Sequence, residues 1–281
     1  MSGAKIFAFA NQKGGVGKTT SCVNLAASLS YYQKRVLLLD MDPQGNATMG
    51  SGVNKLTLES SMNELLQGQV SIDAAIVANT PAGYDLVGTN SDLTEAEAAL
   101  LKKTQQQYQL KTVLAAVRHR YDYIFIDCPP SLNMLTLNAL VAADSVMIVM
   151  QCEYYALEGL TDLVGTVRQI QATCNADLQI GGIIRTMFDP RSRLCCDVSD
   201  QLIKHFPDKI FKTTIPRNVR LAEAPSHGLP VCLYDNSSKG AIAYLVLASE
   251  FDQRFSSKPA TAENKACEEQ NETTQQSEAV N

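Results

Sequence analysis

No stretch of this 281-residue sequence approaches the roughly 18 consecutive apolar residues of a bilayer-spanning helix, although 45% of the chain is hydrophobic. The opening MSGAKIFAFA carries one lysine and no small-residue cleavage site, so a secretory leader is not expected and a cytoplasmic protein is. There is no C-x-x-C pair to begin a zinc site. Cys22, Cys128, Cys152, Cys174 and Cys232 stand singly in apolar segments and Cys195 adjoins Cys196, a pattern that predicts buried free thiols. The three histidines, His119, His205 and His227, are too dispersed for a metal or catalytic set, and His227 reads as structural. A general positive charge is also missing: the net charge is −5, which argues against a protein that binds nucleic acid over its whole surface.

The charge that is present is unevenly spread. Between Arg185 and Arg220 eight basic residues face four acids, a local excess that asks for a partner. From residue 256 to 281 the chain is rich in Glu, Gln, Thr, Asn and Ser and has almost no large apolar residues, which predicts a disordered acidic tail.

Between these limits, apolar runs alternate with helical patterns. KIFAFA (5–10), VLLLD (36–40), YDYIFID (121–127), SVMIVMQ (145–151) and LQIGGIIRTMF (178–188) read as strands buried on both faces. Helices are expected near 18–32, 104–120, 132–142 and 156–173, and loops with short helices over 50–92. Strand–helix alternation implies one doubly wound α/β domain over 1–255, with a mostly parallel sheet and helices on both of its faces.

NQKGGVGKTT (11–20) lies between the first strand and the first helix. Gly14, Gly15 and Gly17 let successive N–H groups turn towards phosphate oxygens, flanked by Val16, and the helix start adds its partial positive charge. In such a loop Lys18 bridges the β- and γ-phosphates and Thr19, followed by Thr20, offers its hydroxyl to Mg²⁺. Asp127 ends an apolar strand in FIDCPPS, a position suited to holding a magnesium ion through water. Pro129 and Pro130 stiffen the backbone beyond it, as a segment that senses the γ-phosphate requires. Asp40 and Asp42 follow the second strand in DMDPQGN; one could support the metal's water shell and the other the attacking water.

Together, KGGVGKTT, DMDPQGN, IDCPPS, QCEYYALEGL (151–160) and IPRNVRLAEAPSHGLP (215–230) resemble the ParA/Soj family of DNA-partitioning ATPases over about residues 5–255. The resemblance implies a P-loop NTPase fold of the deviant Walker A type. Its signature lysine falls on Lys13, which reaches the partner's nucleotide in an ATP-bound homodimer. It places the catalytic aspartate on Asp42, with Asp40 and Asp127 around Mg²⁺, and the adenine contacts on Pro216 and Asn218. It implies slow ATP hydrolysis stimulated by a ParB-like centromere-binding protein, and nucleoid-associated, sequence-independent binding of double-stranded DNA. Arg191 and Arg220 match the DNA-contact positions, with Arg193 and Arg217 beside them. Among related classes, a MinD-like positioning ATPase shares the two-lysine loop but ends in a lysine-rich amphipathic helix, unlike the acidic end here. An iron–sulfur carrier needs cluster-ligand spacing that the cysteines lack. The loop opens at residue 11, so an amino-terminal helix-turn-helix repressor module is not expected.

Overall fold

A computed structural model describes residues 3–101 and 105–256. The acidic tail expected from residue 256 therefore lies, beyond Ser256, outside the described residues. Eight strands form one sheet: β1 (Lys5–Ala10), β2 (Val36–Asp40), β3 (Ile76–Val77), β4 (Asp85–Val87), β5 (Tyr123–Asp127), β6 (Ser145–Gln151), β7 (Gln179–Phe188) and β8 (Ile210–Pro216). Their order is β3-β4-β2-β5-β1-β6-β7-β8. Only the short edge strand β3 runs antiparallel, against β4. The expected doubly wound, mostly parallel sheet is what the chain forms.

Strand alternation divides the core in two. Ile6, Ala8, Leu37, Leu39, Ile124 and Ile126 face one side, beneath the helices Gln109–Ala115, Met134–Ala142 and Ala156–Thr173. Phe7, Phe9, Val36, Leu38, Tyr123 and Phe125 face the other, beneath Lys18–Tyr31 and Lys239–Phe255. There the rings of Phe7, Phe125 and Phe251 meet edge-on at 4.8–6.0 Å, seating the carboxyl-terminal helix on the central strands.

Three expectations are corrected. The 50–92 region contributes two strands besides its short helices, and β4 pairs in parallel with β2 through Leu37–Leu39. Its apolar runs are too short to have declared themselves. The single helix expected over 104–120 is instead a short helix, Gln109–Ala115, between two 3₁₀ turns. Residues 102–104 lie outside the described structure. Arg185, counted in the basic excess, is buried: its guanidinium donates to Ser199 Oγ and to the carbonyls of Phe211 and Lys212, and so joins β7 to β8.

Candidate active site

All the expected phosphate- and metal-binding residues meet at the carboxyl end of the central strands. β1 lies between β5 and β6, so the loop after β1 opens where the strand order reverses, the crevice in which α/β sheets bind ligands. The helices starting at Met134, Arg193 and Lys239 are capped by the side chains of Asn133, Ser192 and Ser238. Lys18–Tyr31 begins instead after Gly17, at φ 89°, with no side-chain cap. Its first N–H groups are left for an external acceptor, the chemistry of an anion-binding helix start. Gly15 is left-handed as well, at φ 73°.

The rest of the sheet holds the loop from behind. Thr186, at the end of β7, donates from Oγ1 to the Val16 carbonyl at 2.7 Å and also lies 3.1 Å from the Met150 carbonyl. Gln151, the last residue of β6, donates from its amide to the Gly15 carbonyl at 3.2 Å. Asn11 donates to the Val149 carbonyl and accepts from the Lys13 N–H. Neither Gln151 nor Thr186 was singled out from the sequence. Gln151 lies within the QCEYYALEGL match, whereas Thr186 belongs to no local motif and is placed only by the β6–β7 pairing.

Lys18 is buried, its ammonium 3.3 Å from the Lys13 carbonyl. Burial lowers its pKa, while the nearby Asp127, Cys128 and Asp42 oppose the change. Lys13 extends the other way, half exposed, and pairs with Glu153 at 2.5 Å.

The three acids are not equivalent. Asp40 and Asp127 are register partners on β2 and β5, and both are fully buried. Asp40 accepts the Thr48 N–H at 2.8 Å, the Thr48 hydroxyl at 2.7 Å and the Asp42 N–H at 3.2 Å. Both of its oxygens are thus committed to the loop that follows β2. Both oxygens of Asp127 are buried and, among the described residues, no donor reaches them in full hydrogen-bond geometry, although the Thr19 hydroxyl lies close by. Burial, then the neighbouring Asp40, pushes its pKa well above the usual carboxylate range; Thr19 and Lys18 offset this in part. Burial likewise raises Asp40 to about 6 against the pull of its Thr48 bonds. Such an orphaned carboxylate beside a threonine hydroxyl and a phosphate loop fits a hydrated divalent cation. Among the described residues no group of three or more His, Cys, Asp or Glu converges on a metal, so nucleotide and water would complete its shell.

Asp42 opens a tight turn, its Oδ1 accepting the Gln44 N–H and its carbonyl the Gly45 N–H. Gly45 is obligatory there: φ is 64°, and a Cβ would lie 2.9 Å from the Thr89 carbonyl. The turn leads into the short helix Asn46–Gly50, which carries Thr48 back to Asp40.

Next to the loop, a cavity of roughly 220 Å³ is bounded by Gly17, Thr20, Thr186, Pro216, Asn218 and Tyr244. The amide oxygen of Asn218 is buried and lacks a donor among the described residues. This is a partly apolar slot with one unsatisfied acceptor, able to receive the exocyclic amine of a purine.

The segments that carry the four candidate arginines follow β7 and β8 at this end of the sheet. Phe188 at the end of β7 is registered with Pro216 at the end of β8, so the segments that follow are neighbours. Arg191 is tied to Asp189 at 2.9 Å, and Arg220 to Glu223 at 2.8 Å and Asp235 at 3.1 Å. Arg193 and Arg217 are exposed and form no ion pair among the described residues. His227 stacks on Tyr234 at 4.8 Å. The seven described cysteines are all free.

A glycine loop on an uncapped helix, a buried lysine and paired strand-end carboxylates define a phosphate-loop protein. A family model described as an AAA domain matches residues 4–180. The sporulation initiation inhibitor protein Soj of Bacillus subtilis (strain 168) is 52% identical over 246 residues, 88% of this chain and 97% of the relative. The chromosome-partitioning ATPase Soj of Treponema pallidum (strain Nichols) is 46% identical over 250 residues, 89% and 98% of the two chains. A crystal structure described as cobyrinic acid a,c-diamide synthase from Mycobacterium smegmatis, with bound ATP analogue and magnesium, is 37% identical. It superposes with a TM-score of 0.76 and covers 88% of this chain and 93% of its own. The chain belongs to the ParA/Soj family of ATPases.

Proposed function

We propose that the protein is an ATP- and Mg²⁺-dependent chromosome-partitioning ATPase whose ATP-bound homodimer binds double-stranded DNA without sequence preference. The observation that carries the reading is the contrast between its two loop lysines. Lys18 is buried towards Asp127 above its own loop, whereas Lys13 extends outwards to an exposed carboxylate. This contrast supports a role for Lys18 at the nucleotide of its own subunit and for Lys13 at a partner's.

In this reading the loop amides from Gly14 to Thr20 and the Lys18 ammonium hold the triphosphate, while the slot at Pro216 and Asn218 takes the adenine. A magnesium ion bound there would neutralise charge on the β- and γ-phosphates. Thr19 and Asp127 would be its protein partners, the latter through water. Asp40 acts at one remove, by tying Thr48 and Asp42 into position. Asp42 orients the water that attacks the γ-phosphate, and the partner's Lys13 stabilises charge in the transition state. Arg191, Arg193, Arg217 and Arg220 contact DNA phosphates. A ParB-like protein accelerates an intrinsically slow hydrolysis and so releases the DNA. Among the described residues no helix is long and apolar enough to cross a membrane, and no membrane partner is proposed.

DNA binding by wild type and Asp42→Ala with ATP, with ADP and without nucleotide tests the reading. The expected result is ATP-dependent binding that persists in Asp42→Ala while hydrolysis fails. Binding that ignores nucleotide would overturn the switch, and ATP-dependent dimers that ignore DNA would favour a MinD-like positioning ATPase.

A further inference from the structure

Lys13 is held at three points in the isolated chain. Its N–H donates to Asn11 Oδ1 at 2.9 Å, its carbonyl receives the Lys18 ammonium at 3.3 Å, and its own ammonium meets Glu153 Oε2 at 2.5 Å. Glu153 is anchored in turn: its N–H donates to the carbonyl of Gln151 at the end of β6, and the Gln151 side chain is bonded to the Gly15 carbonyl. Just beyond Lys13 the chain can pivot, since Gly14 has open space where a side chain would begin and Gly15 is left-handed.

We infer that Glu153 is a positioning residue that holds Lys13 in its own subunit and thereby sets the protein concentration at which ATP drives dimerisation. The inference rests on the role proposed for Lys13 between subunits. An ammonium paired with Glu153 cannot at the same time reach a second copy of the chain, so each protomer must release its pair before the two close. The side chains of Lys13 and Glu153 are 51% and 48% exposed, so the ion pair is a weak hold. Pairs of this kind favour their closed form by a factor of about 1.4–5. Two protomers must open together, so the factor acts twice in the dimer equilibrium. Removing the hold should therefore lower the dimerisation midpoint by about 2- to 25-fold.

The test compares wild type with Glu153→Gln and Glu153→Asp by analytical ultracentrifugation in ATP and magnesium across protein concentration. Asp42→Ala serves as the background in which nucleotide is not consumed. ATP affinity at concentrations below the midpoint serves as the control for an intact loop. Glu153→Gln is expected to shift the midpoint down by the stated factor and leave monomer ATP affinity unchanged, with Glu153→Asp between the two. The gap should narrow as salt screens the wild-type pair. An unchanged or raised midpoint in Glu153→Gln, with dimerising wild type, would overturn the role of Glu153 alone. Absence of ATP-dependent dimers in wild type would instead overturn the function proposed above.

Discussion

Asp40 and Asp127 stand opposite one another on adjacent parallel strands, both fully buried, yet three donors bond Asp40 and, among the described residues, none meets Asp127 in full hydrogen-bond geometry. The protein thus keeps one carboxylate for its own architecture and holds the other in a costly, unsatisfied state. A group in that state gains most from a ligand that brings positive charge.

Asp127→Asn removes the buried repulsion with Asp40 and should raise the thermal midpoint of the nucleotide-free protein by a few degrees. That corresponds to about 1 kcal/mol or more. The same change should abolish magnesium-dependent hydrolysis. Calorimetry with and without Mg²⁺-ATP checks both: wild type should be stabilised by the ligand far more than the variant. A variant less stable than wild type without nucleotide would contradict the strain assigned to Asp127.

Acidification should first stabilise the nucleotide-free protein. Asp40 titrates at about 6 in the fold and Asp127 is also raised, whereas unfolded aspartates titrate near 4. Between these values the folded state binds more protons than the unfolded state, so this contribution is present at low pH and lost as pH rises through 6. Asp122, Asp189 and Asp235 are lowered by their partners and act oppositely, but their contribution is lost only below about pH 4. Denaturant midpoints should therefore rise from pH 7 to about pH 5, and Asp40→Asn should flatten that rise. A wild-type midpoint that falls over this range would refute the account.

Thr186→Val keeps the shape of the side chain and removes the donor to the Val16 carbonyl. The loop then loses its tie to β7 beside the nucleotide slot. ATP affinity is expected to fall by up to about tenfold, with a stability loss of about 1–2 kcal/mol. Titration calorimetry for the nucleotide and urea denaturation for the fold separate the two effects. Unchanged affinity would remove Thr186 from the site.

The paired and unpaired arginines should contribute unequally to DNA binding. Arg193 and Arg217 can meet a phosphate at once, whereas Arg191 and Arg220 must first leave Asp189, and Glu223 with Asp235. Each arginine that contacts a phosphate adds about 0.9 to the slope of log affinity against log salt. Alanine substitution of Arg220 should reduce that slope by about 1 in the ATP-bound dimer. Neutralising its holder through Glu223→Gln should raise affinity instead. A dimer of Arg220→Ala that binds DNA as wild type does, with an unchanged slope, would contradict the assignment.

Much of this protein could be read along the chain. The strand limits of β1, β2 and β6 and the helix Ala156–Thr173 emerge as expected, because long apolar runs and helical periodicity are local properties. The phosphate loop was equally legible: Gly15 and Gly17 sit where the backbone turns left-handed, and that demand is met within seven residues. The strands β3, β4 and β8 were not foreseen, since strands of two or three residues, or with exposed polar positions, acquire their form from the neighbour they pair with.

The amino-acid order by itself determined the loop, the acids at the strand ends and the basic excess, and with them the family. It could not determine partners. That Asp40 is spoken for and Asp127 is not depends on Thr48 returning through a turn that only Gly45 permits. That Lys13 meets Glu153 depends on β1 lying beside β6, 140 residues apart in sequence. Hydrogen bonds and ion pairs act over a few ångströms, so which groups share them is decided by strand order and register once the sheet has formed.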